Sequence, residues 1–318
     1  MSRAIRLSVV IPTWNNRPVL QRALESWRKF ATGQPIEIIV IADGCRDDTV
    51  EYLRSLATDP WAQQTLRWRQ NEENLNQLVS NNQGFTEARG DLILVWDDDM
   101  FLEVDWLVEE LVATFDRYAE IGLVSLIRGL NVFPLQRPIN EWKDLHAPDL
   151  MVSTRGPGTV WSYFRLSEVD IVVRPWVVRR AVIEKVGPLD EAFRPIEWDE
   201  ADLCYRLRAA GWKAATCGYE RLAAFTHLGS STINKIPPLK HQAAVLPNGQ
   251  LFHQRWQPTI ASEHPRQRRT WLRCLPLRSL PRLLRQAARF AWLKASAPRR
   301  HPAANEIPRN RGTTSARG

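Results

Sequence analysis

The chain has few cysteines: Cys45, Cys204, Cys217 and Cys274 are scattered over 318 residues and form no C-x-x-C pair. That excludes a zinc ribbon and a disulfide framework, and it fits a reducing compartment. No apolar run is long enough to span a bilayer. The start, Met1-Ser2-Arg3-Ala4-Ile5-Arg6, leads straight into a strand and lacks the apolar core of a signal peptide. The expected location is the cytoplasm, with room for peripheral attachment to the inner face of the membrane. A Gly-rich basic loop near the start, which a nucleotidyltransferase would carry, is missing; Pro12-Thr13-Trp14-Asn15 stands there instead. Acid is scarce at the other end. Residues 265–318 hold 14 Lys/Arg and one acid, Glu306, while the rest of the chain has 29 basic and 34 acidic residues. The net charge of +8 therefore averages a mildly acidic body with a strongly basic segment suited to an anionic partner.

What is present alternates regularly. Leu7-Ser8-Val9-Val10-Ile11 and residues 36–41 read as buried strands. Between them, Pro18 stands where a helix would begin, and Leu20, Ala23, Leu24, Trp27 and Phe30 recur at helical spacing. Asp47 is a candidate N-cap for a helix carrying Val50, Leu53 and Leu56. A weaker strand at 65–69 precedes an Asn-rich stretch and a helix ending near Arg89-Gly90. Further on, the pattern predicts a helix at 104–118, a strand at 122–127, a helix at 177–186 and a strand at 213–217. This order predicts an α/β fold with a doubly wound, mostly parallel sheet and helices on both faces. Residues 128–167 break the pattern with Pro134, Pro138, Pro148 and Pro157 and carry Trp142, Trp161 and Tyr163. Such a segment suits substrate loops, with ordinary loop anchoring as the competing reading.

Two acidic clusters carry the chemistry. Leu92-Ile93-Leu94-Val95-Trp96 runs into Asp97-Asp98-Asp99. Carboxylates this crowded repel unless they are splayed into water or held by a cation, and hard divalent ions take carboxylate oxygens together with substrate phosphates. The second cluster, Asp199-Glu200-Ala201-Asp202, opens a helix, where acids also suit the dipole. Asp202 and Arg206 are spaced to pair on one helical face.

In order along residues 6–232, the markers Ser8-Val9-Val10-Ile11-Pro12-Thr13-Trp14-Asn15, Asp43-Gly44-Cys45-Arg46-Asp47-Asp48-Thr49, Asn82-Gln83-Gly84 with Ala88-Arg89-Gly90, Asp97-Asp98-Asp99, Val186-Gly187-Pro188-Leu189-Asp190-Glu191-Ala192-Phe193 and Asp199-Glu200-Ala201-Asp202-Leu203 together resemble glycosyltransferase family 2, with its GT-A fold. The resemblance implies transfer of a sugar, with inversion, from a nucleotide-diphosphate donor to a lipid-linked or saccharide acceptor, in surface polysaccharide or glycolipid assembly. It places Pro12, Thr13, Asn15, Asp43, Asn82, Asp97 and Asp98 at the nucleotide sugar. It implies Mn²⁺ or Mg²⁺ on Asp97, Asp99 and His227, with Asp99 the more direct ligand; a structural histidine is the competing reading of His227. It implies a general base at Glu200, with Asp199 second.

Three departures bear on these roles. Ala42 stands where the family usually has a first acid. Ser80-Asn81-Asn82 replaces Ala-Arg-Asn, so an arginine that could face the donor is missing. Asp199-Glu200 reverses the usual Glu-Asp order. These leave a non-catalytic sugar-nucleotide-binding relative as an alternative, with a nucleotidyltransferase on a similar sheet further behind.

The expected organisation is a glycosyltransferase domain at 1–260, a basic amphipathic helical extension at 261–297 and a disordered tail at 298–318. In the extension Arg278, Arg282, Arg285 and Arg289 form one stripe, opposite Leu280, Leu283, Leu284 and Phe290. On an anionic membrane each basic residue near the surface would add roughly 1 kcal/mol. Packing of the Leu face on the domain is the competing reading. Nucleic acid is not an expected partner, because no aromatics interleave the basic residues in a nucleic-acid-binding pattern.

Overall fold

The computed structural model describes residues 4–154, 164–217, 224–229, 237–263 and 269–274, and a few single positions beyond. Trp161, Tyr163, the 298–318 tail and nearly all of the arginine stripe lie outside the described residues. The elements run β1 (Leu7–Thr13), α1 (Arg17–Ala31), β2 (Ile36–Asp43), α2 (Thr49–Ser55), α3 (Pro60–Thr65), β3 (Leu66–Asn71), α4 (Gln77–Glu87), β4 (Leu92–Val95), β5 (Met100–Leu102), α5 (Leu107–Arg117) and β6 (Ile121–Ser125). They continue with β7 (Gly129–Val132), β8 (Met151–Thr154), β9 (Arg165–Glu168), β10 (Ile171–Val172), β11 (Trp176–Arg179), α6 (Arg180–Val186), α7 (Asp199–Ala209), β12 (Lys213–Thr216), β13 (Phe225–His227), α8 (Pro238–Glu263) and β14 (Thr270–Leu272).

Among the described residues nine strands form the central sheet, in the order β14-β9-β12-β6-β11-β4-β1-β2-β3. β1 pairs in parallel with β2 and β4, and β2 with β3, so the carboxyl ends of all four open on one edge. β11 inserts antiparallel between β4 and β6, and β9 is the other reversed strand. The sheet is thus mostly parallel, as expected, with apolar clusters on both faces. β1, β2 and β4 are buried on both sides, which is why they read as continuous apolar runs. Among the described residues no helix is long and apolar enough to cross a membrane.

The helix expected at 177–186 begins only at Arg180. Val177 and Val178 lie in β11, paired with Leu94 and Ile93 on one side and Val124 and Leu123 on the other. β-branched side chains between two strands outweigh the local helical spacing. Gly84 marks where α4 meets the sheet: a Cβ there would come within 2.2 Å of Val10 Cγ1. Gly44 has φ +65° and approaches the Asn74 backbone too closely for any side chain.

The sheet extends into the segment read as a basic extension. β14 pairs with β9, and Arg273 is fully buried against Glu110, its Nε donating to Oε1 at 2.6 Å and Nη2 to Oε2 at 2.7 Å. Breaking a buried pair strands a charge. Arg273→Met is expected to destabilise the domain by about 3–5 kcal/mol, read from urea denaturation. A deletion meant to isolate the basic tail therefore has to begin after Cys274.

Candidate active site

The β4 strand delivers its acids through a tight turn. Met100 N donates to Asp97 O at 3.1 Å, and Trp96 folds back to donate from Nε1 to Met100 O at 3.0 Å. Trp96 is fully buried between Trp27 and Phe225, which fixes where the turn leaves the core. The following β5 pairs antiparallel with β13, setting His227 opposite Met100. That register brings His227 Nε2 to 3.2 Å from Asp99 Oδ1. Ligand atoms of Asp97, Asp99 and His227 all lie within 4.8 Å of one another.

Asp98 turns the other way. Its Oδ2 accepts from Thr13 Oγ1 at 2.6 Å, tying β4 to the β1 loop, and burial pushes the Asp98 carboxyl up to about 7. Burial also raises Asp97, with the charge of Arg174 opposing and that of Asp99 adding to it, while Gln77 Nε2 donates to Asp97 Oδ1 at 2.7 Å. His227 is raised, chiefly by its hydrogen bond to Asp99. Two carboxylates and one imidazole make an oxygen-rich donor set that suits a divalent cation, and the crowding of buried acids is what such a cation would relieve.

The β1 and β2 loops are bound to each other. Asn15, at φ +50°, accepts on Oδ1 from the backbone N–H groups of Arg46 and Asp47. Buried Asp43 accepts on Oδ1 from Asn71 Nδ2 at 2.8 Å and Leu75 N at 3.0 Å. Beside it, at the ends of β2 and β3, opens a cleft of about 570 Å³ lined by Arg46, Arg69, Asn71, Leu75 and Gln83 among others. Pro12 is buried in β1. Asn82 spends both ends of its amide on the Leu189 backbone, donating to its O and accepting from its N at 2.9 Å each. Of the seven residues expected at the nucleotide sugar, Asn82 and Asp98 also brace neighbouring segments.

The second acidic cluster starts α7 after two residues with left-handed backbone, Glu197 (φ +63°) and Trp198 (φ +70°). Outside glycine such φ values cost about 1–3 kcal/mol each and need support. α8 supplies it. Asn248 Nδ2 donates to the carbonyls of Phe193, Ile196 and Glu197, and Phe252 packs on Trp198 at 5.1 Å between ring centroids. Asp202 is consumed structurally, with Arg206 Nε 2.7 Å from Oδ2, as the spacing predicts, and Arg255 and Trp256 on Oδ1. Asp199 and Glu200 both meet Arg174. Its Nη2 donates to Asp199 Oδ2 at 3.2 Å and to Glu200 Oε2 at 3.3 Å, and Nε lies 3.1 Å from Glu200 Oε1.

The charges of Arg174 and Glu200 both act on Asp97, so the two acidic clusters share one electrostatic environment. The sequence reading missed Arg174, Gln77 and Asn248. Arg174 had a signal: a lone arginine inside the apolar stretch Ile171-Val172-Val173-Arg174-Pro175-Trp176 needs a buried partner.

The fold and site thus define an α/β protein with a group of side chains able to hold a metal ion after the carboxyl end of a parallel strand and, within its electrostatic reach, an acid pair clamped by Arg174. Glycosyl transferase family 2 matches residues 8–186, more than half of the chain, and the chain belongs to that family. It is 26% identical over 221 residues to the uncharacterized protein y4gI of Sinorhizobium fredii (strain NBRC 101917 / NGR234), covering 65% of this chain and 23% of that protein. It is 36% identical over 98 residues to the undecaprenyl-phosphate 4-deoxy-4-formamido-L-arabinose transferase of Pectobacterium atrosepticum, covering 30% of this chain and 29% of the relative. The matched stretches span about a quarter of these relatives' lengths. Among solved structures, the mannosyltransferase PcManGT from Pyrobaculum calidifontis, in complex with GDP-Man and Mn²⁺, is similar at TM-score 0.48 and 16% identity, covering 93% of this chain and 76% of that one.

Proposed function

We propose that the chain is an inverting glycosyltransferase that moves a sugar from a nucleotide-diphosphate donor to an acceptor hydroxyl in surface polysaccharide or glycolipid assembly. The observation that carries this reading is the Asp97–Asp99–His227 ligand set lying within electrostatic reach of Arg174 and of the Asp199–Glu200 pair that Arg174 clamps. The nucleoside diphosphate leaves with growing negative charge, while the acceptor hydroxyl must lose a proton. Those demands need a cationic side and a basic side, with the sugar between them.

Asp97, Asp99 and His227 would hold Mn²⁺ or Mg²⁺, which supplies Lewis-acid neutralisation of the diphosphate. Glu200 takes the acceptor proton from the other side. The nucleoside lies along the β1 and β2 loops, in the cleft beside Asp43. A lipid-linked acceptor is in keeping with the Pectobacterium relative, whose name specifies undecaprenyl phosphate. The ten basic residues after Cys274 would hold the protein to an anionic membrane, and vesicle co-sedimentation of the full chain against a form ending at Cys274 tests that placement.

The activity itself is tested by incubating the full chain with Mn²⁺ and UDP-glucose, UDP-N-acetylglucosamine or GDP-mannose and measuring free nucleoside diphosphate. Release from one donor class is expected. Absence of both binding and release across a full panel of nucleotide sugars would contradict the reading.

A further inference from the structure

Arg174 has no role in the chemistry described so far, yet its charge acts on both acidic clusters. It lies between β10 and β11, and its side chain is only 14% exposed. A planar guanidinium can reach two carboxyls at once in a fixed fork, which an ammonium cannot. Here it meets Glu200 through two nitrogens and Asp199 through one. We propose that Arg174 is a positioning residue for the transfer: it locks the Asp199–Glu200 pair into a one-proton state, with Asp199 neutral and Glu200 the charged member that faces the acceptor. This rests on Glu200 as the base.

Two adjacent carboxyls in one buried site cannot both ionise cheaply, so one retains a proton. Burial decides which. The Asp199 side chain is 1% exposed and that of Glu200 15%, and charge costs more in the drier position. Arg174 then adds its larger share of contacts to Glu200. The directions agree: burial and then the Glu200 charge push Asp199 well above the aspartate range. Burial also pushes Glu200 up, but Arg174 and Asp199 outweigh it, and Glu200 ends below the ordinary glutamate value.

The other charged groups around Glu200 work against this state. Asp97 comes from the turn after β4, and Glu197 from the strained loop before α7. His241 on α8 sits 3.2 Å from Glu197 and offsets that carboxylate. Removing the Arg174 charge leaves Glu200 among Asp97, Glu197 and Asp199, so the proton would spread onto the base.

The test is a carboxyl ¹³C NMR titration of the full chain labelled at glutamate, with the Glu200 signal assigned by its loss in Glu200→Gln. In the wild type Glu200 is expected to titrate below the ordinary 4.5; a midpoint above that overturns the proposal. In Arg174→Gln the midpoint should rise by about 1–3 units, and Arg174→Lys should restore part of the shift. Arg174→Met is a second neutral replacement, so the test does not hinge on one variant folding. An unmoved midpoint in a folded neutral variant overturns the proposal.

Nucleoside diphosphate release from UDP-glucose, UDP-N-acetylglucosamine or GDP-mannose with Mn²⁺ is followed in parallel. Full release by Glu200→Gln sinks the base assignment itself. Loss of release in Glu200→Gln, with no titration shift in the Arg174 variants, sinks only the positioning role.

Discussion

Glu200→Gln is expected to lower transferase turnover by about two to four orders of magnitude while the protein stays folded and still binds its donor. Glutamine keeps the length of the side chain, and its amide oxygen still accepts from Arg174 Nη2, so the clamp observed at 3.3 Å survives in neutral form. What disappears is the charge proposed to accept the incoming hydroxyl proton. The measurement is kcat and KM with the same nucleotide sugar, alongside circular dichroism. KM for the donor should hardly move, because no donor contact is removed. The pH dependence follows from the depressed Glu200 value. A base with a lowered pKa is ionised at all higher pH, and its rate contribution falls only as pH drops through that value. Glu200 therefore gives no acid limb in kcat between neutrality and about pH 5.

Asp99→Ala, or chelation of divalent ions, is expected to cost about two to three orders of magnitude in turnover. Asp99 holds His227 as well as the proposed ion, so one substitution opens two sides of the ligand set. The control is Asp98→Asn. Asp98 is bonded to Thr13 and turned away from the cluster, so this variant should keep Mn²⁺ affinity and lose stability instead. A titration of activity against Mn²⁺ separates the two. If Asp98→Asn raises the Mn²⁺ requirement as much as Asp99→Ala does, the alternation of the three acids described above is wrong.

Much of this was legible in the sequence because it depends on short-range pattern. The runs in β1, β2 and β4 are apolar because both faces of the strand are buried, and the acids at 97–99 follow where the strand leaves the core. His227 was legible only through family resemblance; its position depends on β13 pairing with β5, a register no local pattern encodes. A bracing role of Asn82 was hidden for a similar reason. Its partner, the Leu189 backbone, lies 107 residues away, so no local pattern shows that the amide ties α4 to that loop. Val177 and Val178 fit a helical period, but two flanking strands claim them. α8 lies beyond the family match, and its Asn248 reaches back to brace the loop before Asp199. Such long-range polar satisfaction is invisible until the backbone carbonyls it serves are placed.

The claim on which the rest depends is that the metal half and the base half face one cleft. The most direct measurement is a crystal structure of the full chain grown with Mn²⁺ and a nucleoside diphosphate, with the ion located by anomalous scattering at the manganese edge. The expected result is one Mn²⁺ bonded to Asp99 and to at least one of Asp97 and His227, with diphosphate oxygens completing its shell and Glu200 on the open side of the same cleft. A Mn²⁺ bound away from these residues, or a diphosphate that turns its departing end away from Glu200, would contradict it.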